Sequence, residues 1–196
     1  MARPRTVELD IPIEDRIEEA FWELLETSSP ERISVVALSK QAHCNRGTFY
    51  YYFTDIYDLL DRVIDKNIPT SLAPVYLGYL GGQVSIAMLK QAMDAESERL
   101  TRLGILLMKS DSSYCSDRLK DHSISLWCTL LGGDRDSLDK CDYLMFEFVA
   151  GGIMGMLAHC GKHHEPLTAD DVLDALLPEI PQALIARAKR RHKLGE

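Results

Sequence analysis

The sequence predicts an all-α protein, and three observations support this fold class. Apolar residues recur every three or four positions along most of the 196-residue chain, which is the period of a helix with one buried face. No stretch alternates apolar and polar residues as a half-buried strand does. Residues that favour helix N-caps stand just before several of the apolar-periodic segments. The chain is 46% hydrophobic and 27% charged, as is ordinary for a globular protein.

The first four predicted helices are short and closely spaced. An apolar stripe from Ile17 to Leu25 predicts the first helix, which the Ser-Ser-Pro sequence at 28–30 ends. We expect the next three helices to have N-caps supplied, in order, by Ser34, Asn45 and Asp55. These helices cover 35–42, 46–53 and a stretch that begins at 56 and ends at Asn67-Ile68-Pro69.

A change in composition separates these helices from the rest of the chain. Residues 69–82 contain two prolines and three glycines, which is typical of a seam between domains. We therefore place one domain at 1–68 and a second domain at 69–196. In the second domain the apolar pattern predicts helices over 83–109, with a break near Ala95, and over 116–131, 136–161 and 169–191.

The distribution of charge points to a surface that faces an anion. The formal net charge of −8 is unfavourable for binding nucleic acid, because phosphate neutralisation supplies most non-specific affinity. However, the segment from Arg32 to Thr54 contains no Asp or Glu, and it carries Arg32, Lys40 and Arg46. We call residues 32–54 the acid-free window, and we expect Lys40 in it to face the anion.

Within this window two short helices flank a tight turn at His43-Cys44, which predicts a helix-turn-helix. The second helix of such a motif enters the major groove of DNA with its N-terminal residues toward the bases. The residues in that position are Asn45, Arg46, Gly47 and Thr48. Glycine costs about 1 kcal/mol relative to Ala inside a helix, so Gly47 indicates a close backbone approach. The tyrosines at 50–52 carry hydroxyls that can donate to phosphate oxygens.

The segment Arg-Gly-Thr-Phe-Tyr-Tyr-Tyr-Phe at 46–53, followed by an acidic cap and Leu59-Leu60, resembles the recognition helix of the TetR family of bacterial regulators. The first predicted helix is similar to that of the family as well, so the resemblance covers about residues 13–66. It implies phosphate contacts for Ser34, Tyr50 and Tyr51, and base contacts for Arg46 and Thr48. Beyond this region, 148–157 loosely resembles a glycine-containing dimer helix.

The resemblance implies a cytoplasmic homodimeric repressor that leaves its operator DNA when a small molecule binds. Glycines within a helix weaken it, and close approach to a partner helix would offset that cost; packing within one subunit is the alternative. The expected dimer residues are Phe148, Gly151, Gly152, Gly155, Leu173, Leu176, Leu177 and Ile180. The sequence does not assign the effector pocket, although some of its Met and aromatic residues would line it: Met88, Met93, Met108, Trp127, Met145, Phe146 and Met154.

Two other classes of function are considered: a coactivator or adaptor, and an enzyme. A TetR-like coactivator or adaptor, acting through a protein partner with weak DNA binding, would suit the acidic net charge and Ile56, which stands where the family usually has Lys. An enzyme is not expected, because the chain has no nucleophile elbow, phosphate loop or zinc-protease motif. We expect no cofactor or metal.

Five cysteines without a Cys-x-x-Cys pair suit a reducing cytoplasm, and no apolar run approaches the roughly 18 residues of a membrane span.

Overall fold

The computed structural model describes residues 11–130 and 139–176, and every regular element in these two ranges is helical. The predicted all-α fold class is therefore confirmed for this part of the chain. Its α-helices are α1 Ile13–Leu25, α2 Val35–Gln41, α3 Arg46–Tyr52, α4 Ile56–Asn67, α5 Leu72–Leu80, α6 Ile86–Ala95, α7 Ser97–Lys109, α8 Tyr114–Leu130, α9 Lys140–His163 and α10 Ala169–Leu176. A 3-10 turn at Pro30–Arg32 precedes α2. Among the described helices, none is both long and apolar enough to cross a bilayer.

The chain divides into two compact units. Unit 1 contains the described residues up to Lys66 together with Lys109–Ser112, and unit 2 contains Asn67–Met108 and the described residues from Ser113 onward. The division after Lys66 lies two residues before the predicted domain boundary. No signal in the sequence indicated that 109–112 would belong to unit 1.

Glu31 explains why residues 109–112 belong to unit 1. Its carboxylate accepts hydrogen bonds from the Ser112 hydroxyl at 2.8 Å and from the Asp111 N–H at 3.2 Å, and the Ser110 hydroxyl donates to it as well. Burial by itself would raise the pKa of Glu31, but the hydrogen bonds, chiefly from Ser110, lower it overall. A charged carboxylate that accepts several hydrogen bonds holds this segment in place.

The core of unit 1 consists of the apolar stripes that the sequence predicted. The buried face of α1 carries Ile17, Ala20, Phe21 and Leu25, and that of α4 carries Leu59, Leu60, Val63 and Ile64. Phe49 and Phe53 contribute two fully buried rings, 5.4 Å apart, from the end of the helix-turn-helix. Because these stripes bury the inner side of each helix, the outer side of α3 remains in contact with solvent.

Unit 2 contains one helix that the sequence did not predict, and it confirms a predicted break. The unpredicted helix is α5, which occupies Leu72–Leu80 within the compositional seam at 69–82. Pro74 is the third residue of α5, and a helix tolerates proline there because the first N–H groups have no intrahelical acceptor. The predicted break near Ala95 is confirmed, because α6 ends at Ala95 and α7 begins at Ser97. The predicted breaks at 132–134, and the predicted last helix beyond 176, lie outside the described residues.

Candidate functional site

Side-chain caps fix the starts of α2 and α3, which lie within the acid-free window, and of α4, which follows it. Ser34 Oγ accepts a hydrogen bond from the Ala37 N–H at 3.2 Å, and Asn45 Oδ1 accepts one from the Thr48 N–H at 2.8 Å. Asp55 Oδ1 accepts from the second and third N–H groups after it, at 2.8 and 2.9 Å. All three predicted caps are therefore confirmed. A capping Ser keeps its own hydroxyl proton free, so Ser34 can still donate to a phosphate.

The turn between α2 and α3 is tight and is held from α1. His43 adopts a left-handed conformation with φ of 51°, which non-glycine residues adopt uncommonly. The Cys44 N–H donates to the Ser39 carbonyl at 2.9 Å. Arg16 donates to the carbonyls of Ala42 and His43, the latter at 3.2 Å. The sequence alone did not identify Arg16, because nothing local marks a side chain whose partners lie 26 and 27 residues away.

The outward face of α3 brings the predicted DNA-contacting residues together. The side chains of Asn45, Arg46, Tyr50 and Tyr51 are exposed, together with the Gly47 backbone, and Thr48 is half-buried beside them. Tyr51 is 81% exposed and Tyr50 is 57% exposed. Ser34 and Lys40 are exposed on the preceding segment. Two aromatic rings held in water, with only uncharged or cationic neighbours in sequence, form a surface suited to a polar anionic partner.

Gly47 has a geometric role that the sequence did not indicate. A Cβ at this position would lie 3.1 Å from Asn45 Oδ1, the oxygen that caps α3. Glycine therefore leaves space around the cap. That the same opening admits a DNA backbone stays a prediction.

Arg62 of α4 secures the other end of α3, and the sequence alone did not identify it either. Its Nη2 donates to the Tyr52 carbonyl at 2.7 Å, which satisfies one of the acceptors left free at a helix C-terminus. Its Nη1 pairs with Glu14 of α1 at 2.9 Å, and its guanidinium lies 4.8 Å from the centre of the Phe53 ring. One side chain thus connects α1, α3 and α4.

The acidic residues of α1 are partly neutralised by α4. Lys66 lies 3.1 Å from Asp15 and 2.8 Å from Glu18, and the hydrogen bond that it donates to Glu18 is the main cause that raises the pKa of Lys66. With Glu14 paired to Arg62, three carboxylates that flank the window are engaged by cations. Two cations of α4 thus offset part of the negative charge that α1 carries beside the window.

Unit 2 contains a cavity of about 360 Å³, which lies within the usual size range of small-molecule sites, roughly 300–1,000 Å³. Its walls come from residues 68–172, and no Asp, Glu, Lys, Arg or His is among them. Of the Met and aromatic residues considered as pocket candidates, Met93, Trp127 and Met154 line it. By contrast, Met88 is 57% exposed and Phe146 is buried without lining the cavity.

Tyr76 is one of two cavity-lining residues that carry a side-chain hydroxyl. Its hydroxyl oxygen is buried and has no hydrogen-bond partner among the described residues. Burial, with a smaller contribution from Tyr79, raises the pKa of Tyr76 to about 12, so the hydroxyl keeps its proton and can donate. The Tyr76 ring meets the Trp127 ring edge to face, with centres 6.1 Å apart and planes at 88°. The other hydroxyl in the wall, that of Ser123, already donates to the Leu119 carbonyl at 2.8 Å.

The predicted dimer residues of α9 lie on a face that the described part of the subunit leaves uncovered. Phe148 is 68% exposed and Leu144 is 56% exposed, and a Cβ added at Gly151, Gly152 or Gly155 would meet nothing within 4 Å. We call Leu144, Phe148, Gly151, Gly152 and Gly155 the α9 face. Close helix packing inside unit 2 occurs instead at another pair of glycines, Gly104 and Gly161. Phe148 and Gly152 also line the cavity, a second role that was not predicted.

The other predicted dimer residues belong to the predicted helix 169–191. Leu173 is only 9% exposed within unit 2, and its place in a dimer interface stays a prediction. The side chains of Leu176, Leu177 and Ile180 lie outside the described residues. Across 11–130 and 139–176, no group of three or more His, Cys, Asp and Glu side chains is placed to hold a metal ion.

Comparisons with known proteins identify similar structures only. No protein-family model and no curated protein matches the chain. Among solved structures, the dihydroxyacetone kinase operon activator DhaS is 17% identical over 91% of this chain and 97% of its own, with a TM-score of 0.48. A transcriptional regulator of the TetR family from Vibrio parahaemolyticus is 20% identical over 92% of this chain and 86% of its own, with a TM-score of 0.30. At these identities and TM-scores, neither likeness bears on what this chain binds.

Proposed function

We propose that the chain is a ligand-responsive, DNA-binding transcriptional regulator of the TetR type. It acts in the cytoplasm as a homodimeric repressor and has no catalytic activity. The observation that carries this proposal is the outward face of α3: a helix capped by Asn45, lacking any carboxylate, with Tyr50 and Tyr51 standing in solvent. A short helix with these properties, preceded by a fixed turn, suits the major groove.

The residues of this face have separate roles in the proposed complex. Arg46 and Thr48, in the first turn of α3, contact base edges and supply sequence discrimination. Ser34, Lys40, Tyr50 and Tyr51 contact phosphates and fix the register of the helix on the duplex. Asn45 keeps the helix start in place, while Gly47 allows the backbone to approach the DNA.

The α9 face supports the homodimer. Leu144, Phe148, Gly151 and Gly155 follow one another at intervals of three or four residues, and Gly152 lies beside them, so all five share one side of the helix. The large apolar side chains Leu144 and Phe148 are exposed at one end of this face. Exposed apolar patches of this kind mark interaction sites. The three glycines allow a second helix to come close. In a two-fold dimer the α9 face would pack against its own copy and give two recognition helices, set about 34–36 Å apart as successive major grooves require.

The cavity in unit 2 supports control by a small molecule. An effector that binds one conformation of the dimer better than another shifts the population between them, and its differential affinity limits that shift. In the repressor that we propose, the favoured conformation separates the recognition helices by a distance that no longer matches the operator. A differential affinity of a few kcal/mol is enough for such a switch.

A coactivator or adaptor remains the second candidate, and a specific observation favours it. Val36 is 60% exposed on α2, Tyr50 and Tyr51 are exposed on α3, and Ile56 rather than a cation begins α4. An apolar and aromatic surface of this kind can also bind a protein.

A gel-shift assay separates these two functions. The full chain is titrated against the DNA that flanks its own gene and against a scrambled duplex of equal length. The proposed repressor shifts the flanking DNA at concentrations at least tenfold lower than the scrambled duplex, and a matched Arg46→Ala variant loses that preference. Equal binding of both duplexes by the parent chain would contradict a specific operator and favour the adaptor.

A further inference from the structure

The cavity wall selects against charged ligands. All of the lining residues are uncharged, and nearly all of them are apolar, from Ile68 to Val172. A carboxylate or ammonium group that entered this cavity would lose its hydration with no opposite charge to replace it, which is strongly unfavourable. An apolar molecule would instead be transferred from water to an apolar surface, which is favourable. The walls therefore favour a neutral molecule.

Tyr76 gives this uncharged site a hydrogen-bond donor. Its buried hydroxyl lacks a hydrogen-bond partner in the described part of the chain, and an unsatisfied buried donor is costly. The rest of the side chain forms part of the cavity wall beside Trp127. The oxygen itself is buried, so a ligand in the cavity would contact it only if the Tyr76 ring turned toward the cavity. A ligand atom that accepts its proton would remove the cost of the unsatisfied donor.

We propose that the cavity of unit 2 binds an uncharged, largely apolar molecule with one hydrogen-bond acceptor, such as a carbonyl or ether oxygen, and that the Tyr76 hydroxyl donates to this acceptor. The Ser123 hydroxyl does not compete for the acceptor, because it already donates to the Leu119 carbonyl. Trp127 also lines the cavity and adds aromatic surface that an aromatic ligand can contact. The inference rests on the proposed function only in treating this molecule as the effector.

Three probes of nearly the same shape test the proposal by calorimetry or tryptophan fluorescence, with the full chain and no DNA. They are 2-acetylnaphthalene, which has an acceptor; 2-ethylnaphthalene, which lacks one; and 2-naphthoate, which is charged. We expect 2-acetylnaphthalene to bind about three- to tenfold more tightly than 2-ethylnaphthalene, as one added hydrogen bond allows. We expect 2-naphthoate to bind at least about a hundredfold more weakly than 2-acetylnaphthalene, because its charge is left unpaired.

The Tyr76→Phe variant, which lacks only the hydroxyl, tests whether Tyr76 is the donor. This variant should bind 2-acetylnaphthalene about three- to tenfold more weakly and bind 2-ethylnaphthalene as the parent does or better, so the preference for the ketone disappears. Tyr79→Phe is the matched control, because Tyr79 is a neighbouring half-buried tyrosine that does not line the cavity. It should leave both affinities unchanged. Circular dichroism checks that both variants keep the fold of the parent.

Each remaining outcome overturns part or all of the inference. Binding of 2-naphthoate as tight as that of the ketone would overturn the neutral-ligand class, and a ketone preference that persists in Tyr76→Phe would overturn the role of Tyr76. No binding of any probe would overturn the site itself. Because no measurement includes DNA, these results are independent of the gel shift: a chain that binds the ketone but no operator keeps this inference and loses the proposed function.

Discussion

Gly104 of α7 and Gly161 of α9 lie backbone against backbone. A Cβ at Gly104 would overlap the Leu157 carbonyl oxygen, and a Cβ at Gly161 would lie 2.7 Å from the Ile105 nitrogen. Neither position can therefore accept a side chain unless one helix moves away from the other. The pair holds together two helices that both contribute walls to the cavity.

We expect Gly161→Ala to destabilise the protein by about 1–3 kcal/mol, as overpacking of a close contact does. Lys162→Ala, at an exposed position on the same helix, is the control. It should change the stability by less than about 0.5 kcal/mol, as surface substitutions usually do. Urea unfolding measures both. Equal stability of the two variants would show that α7 and α9 are not in close contact.

Two substitutions of Asn45 separate the effect of the helix cap on stability from the effect of a negative charge on DNA binding. Asn45→Ala removes the bond to the Thr48 N–H and should cost about 1 kcal/mol of stability. Asn45→Asp retains a capping oxygen and should hold the melting temperature near that of the parent. It also places a negative charge in the acid-free window, so we expect it to weaken DNA binding strongly. An Asp variant that binds DNA as the parent does would mean that this face is not the one in contact with phosphate.

Arg46→Ala should relax base discrimination by about 1–3 kcal/mol at one position in each half-site. The readout is a set of duplexes in which each operator position is changed in turn. Arg99→Ala removes the same charge from unit 2, where Arg99 pairs with Glu96 at 3.0 Å, and it should leave discrimination intact. The placement of α3 in the groove is wrong if Arg46→Ala binds every duplex with the affinity of the parent.

DNA binding should depend steeply on salt, in spite of the net charge of −8, because counterions leave the phosphates that the dimer contacts. Lys40→Ala should reduce the slope of log K against log salt by about 1 for each phosphate that Lys40 neutralises. Tyr51→Phe removes a neutral donor, so it should weaken all sequences about equally and leave the slope unchanged. A flat salt response of the parent chain would favour the adaptor.

Gly155→Leu tests the α9 face as a dimer interface. Gly155 does not line the cavity, unlike Gly152, so the substitution leaves the ligand site intact. A bulky side chain at a close helix contact between subunits should shift the protein toward monomer, and operator binding should fall with it. Analytical ultracentrifugation, with binding of 2-acetylnaphthalene as a check on the fold of unit 2, follows both effects. A folded and fully dimeric variant would place the interface elsewhere.

The sequence by itself determined the features that depend on neighbours a few residues apart. The caps at Ser34, Asn45 and Asp55 bond to groups two or three residues away, and the buried stripe from Ile17 to Leu25 repeats with each helical turn. Local spacing suffices for such features, so the helix-turn-helix and its exposed face could be predicted. Helix α5 could not be predicted in this way, because the composition of residues 69–82 is typical of a seam between domains, whereas Leu72–Leu80 is a helix.

Only the tertiary structure decided which distant residues meet. Arg16 bonds to the turn 26 and 27 residues away, and Arg62 pairs with Glu14 across 48 residues, so neither partner is marked in the local pattern. The same holds for the glycines: the sequence shows several that weaken helices, but packing decided that Gly104 and Gly161 bring two backbones together while Gly155 is left open. Side-chain periodicity fixes which face of a helix is apolar, whereas what covers that face depends on how the helices pack.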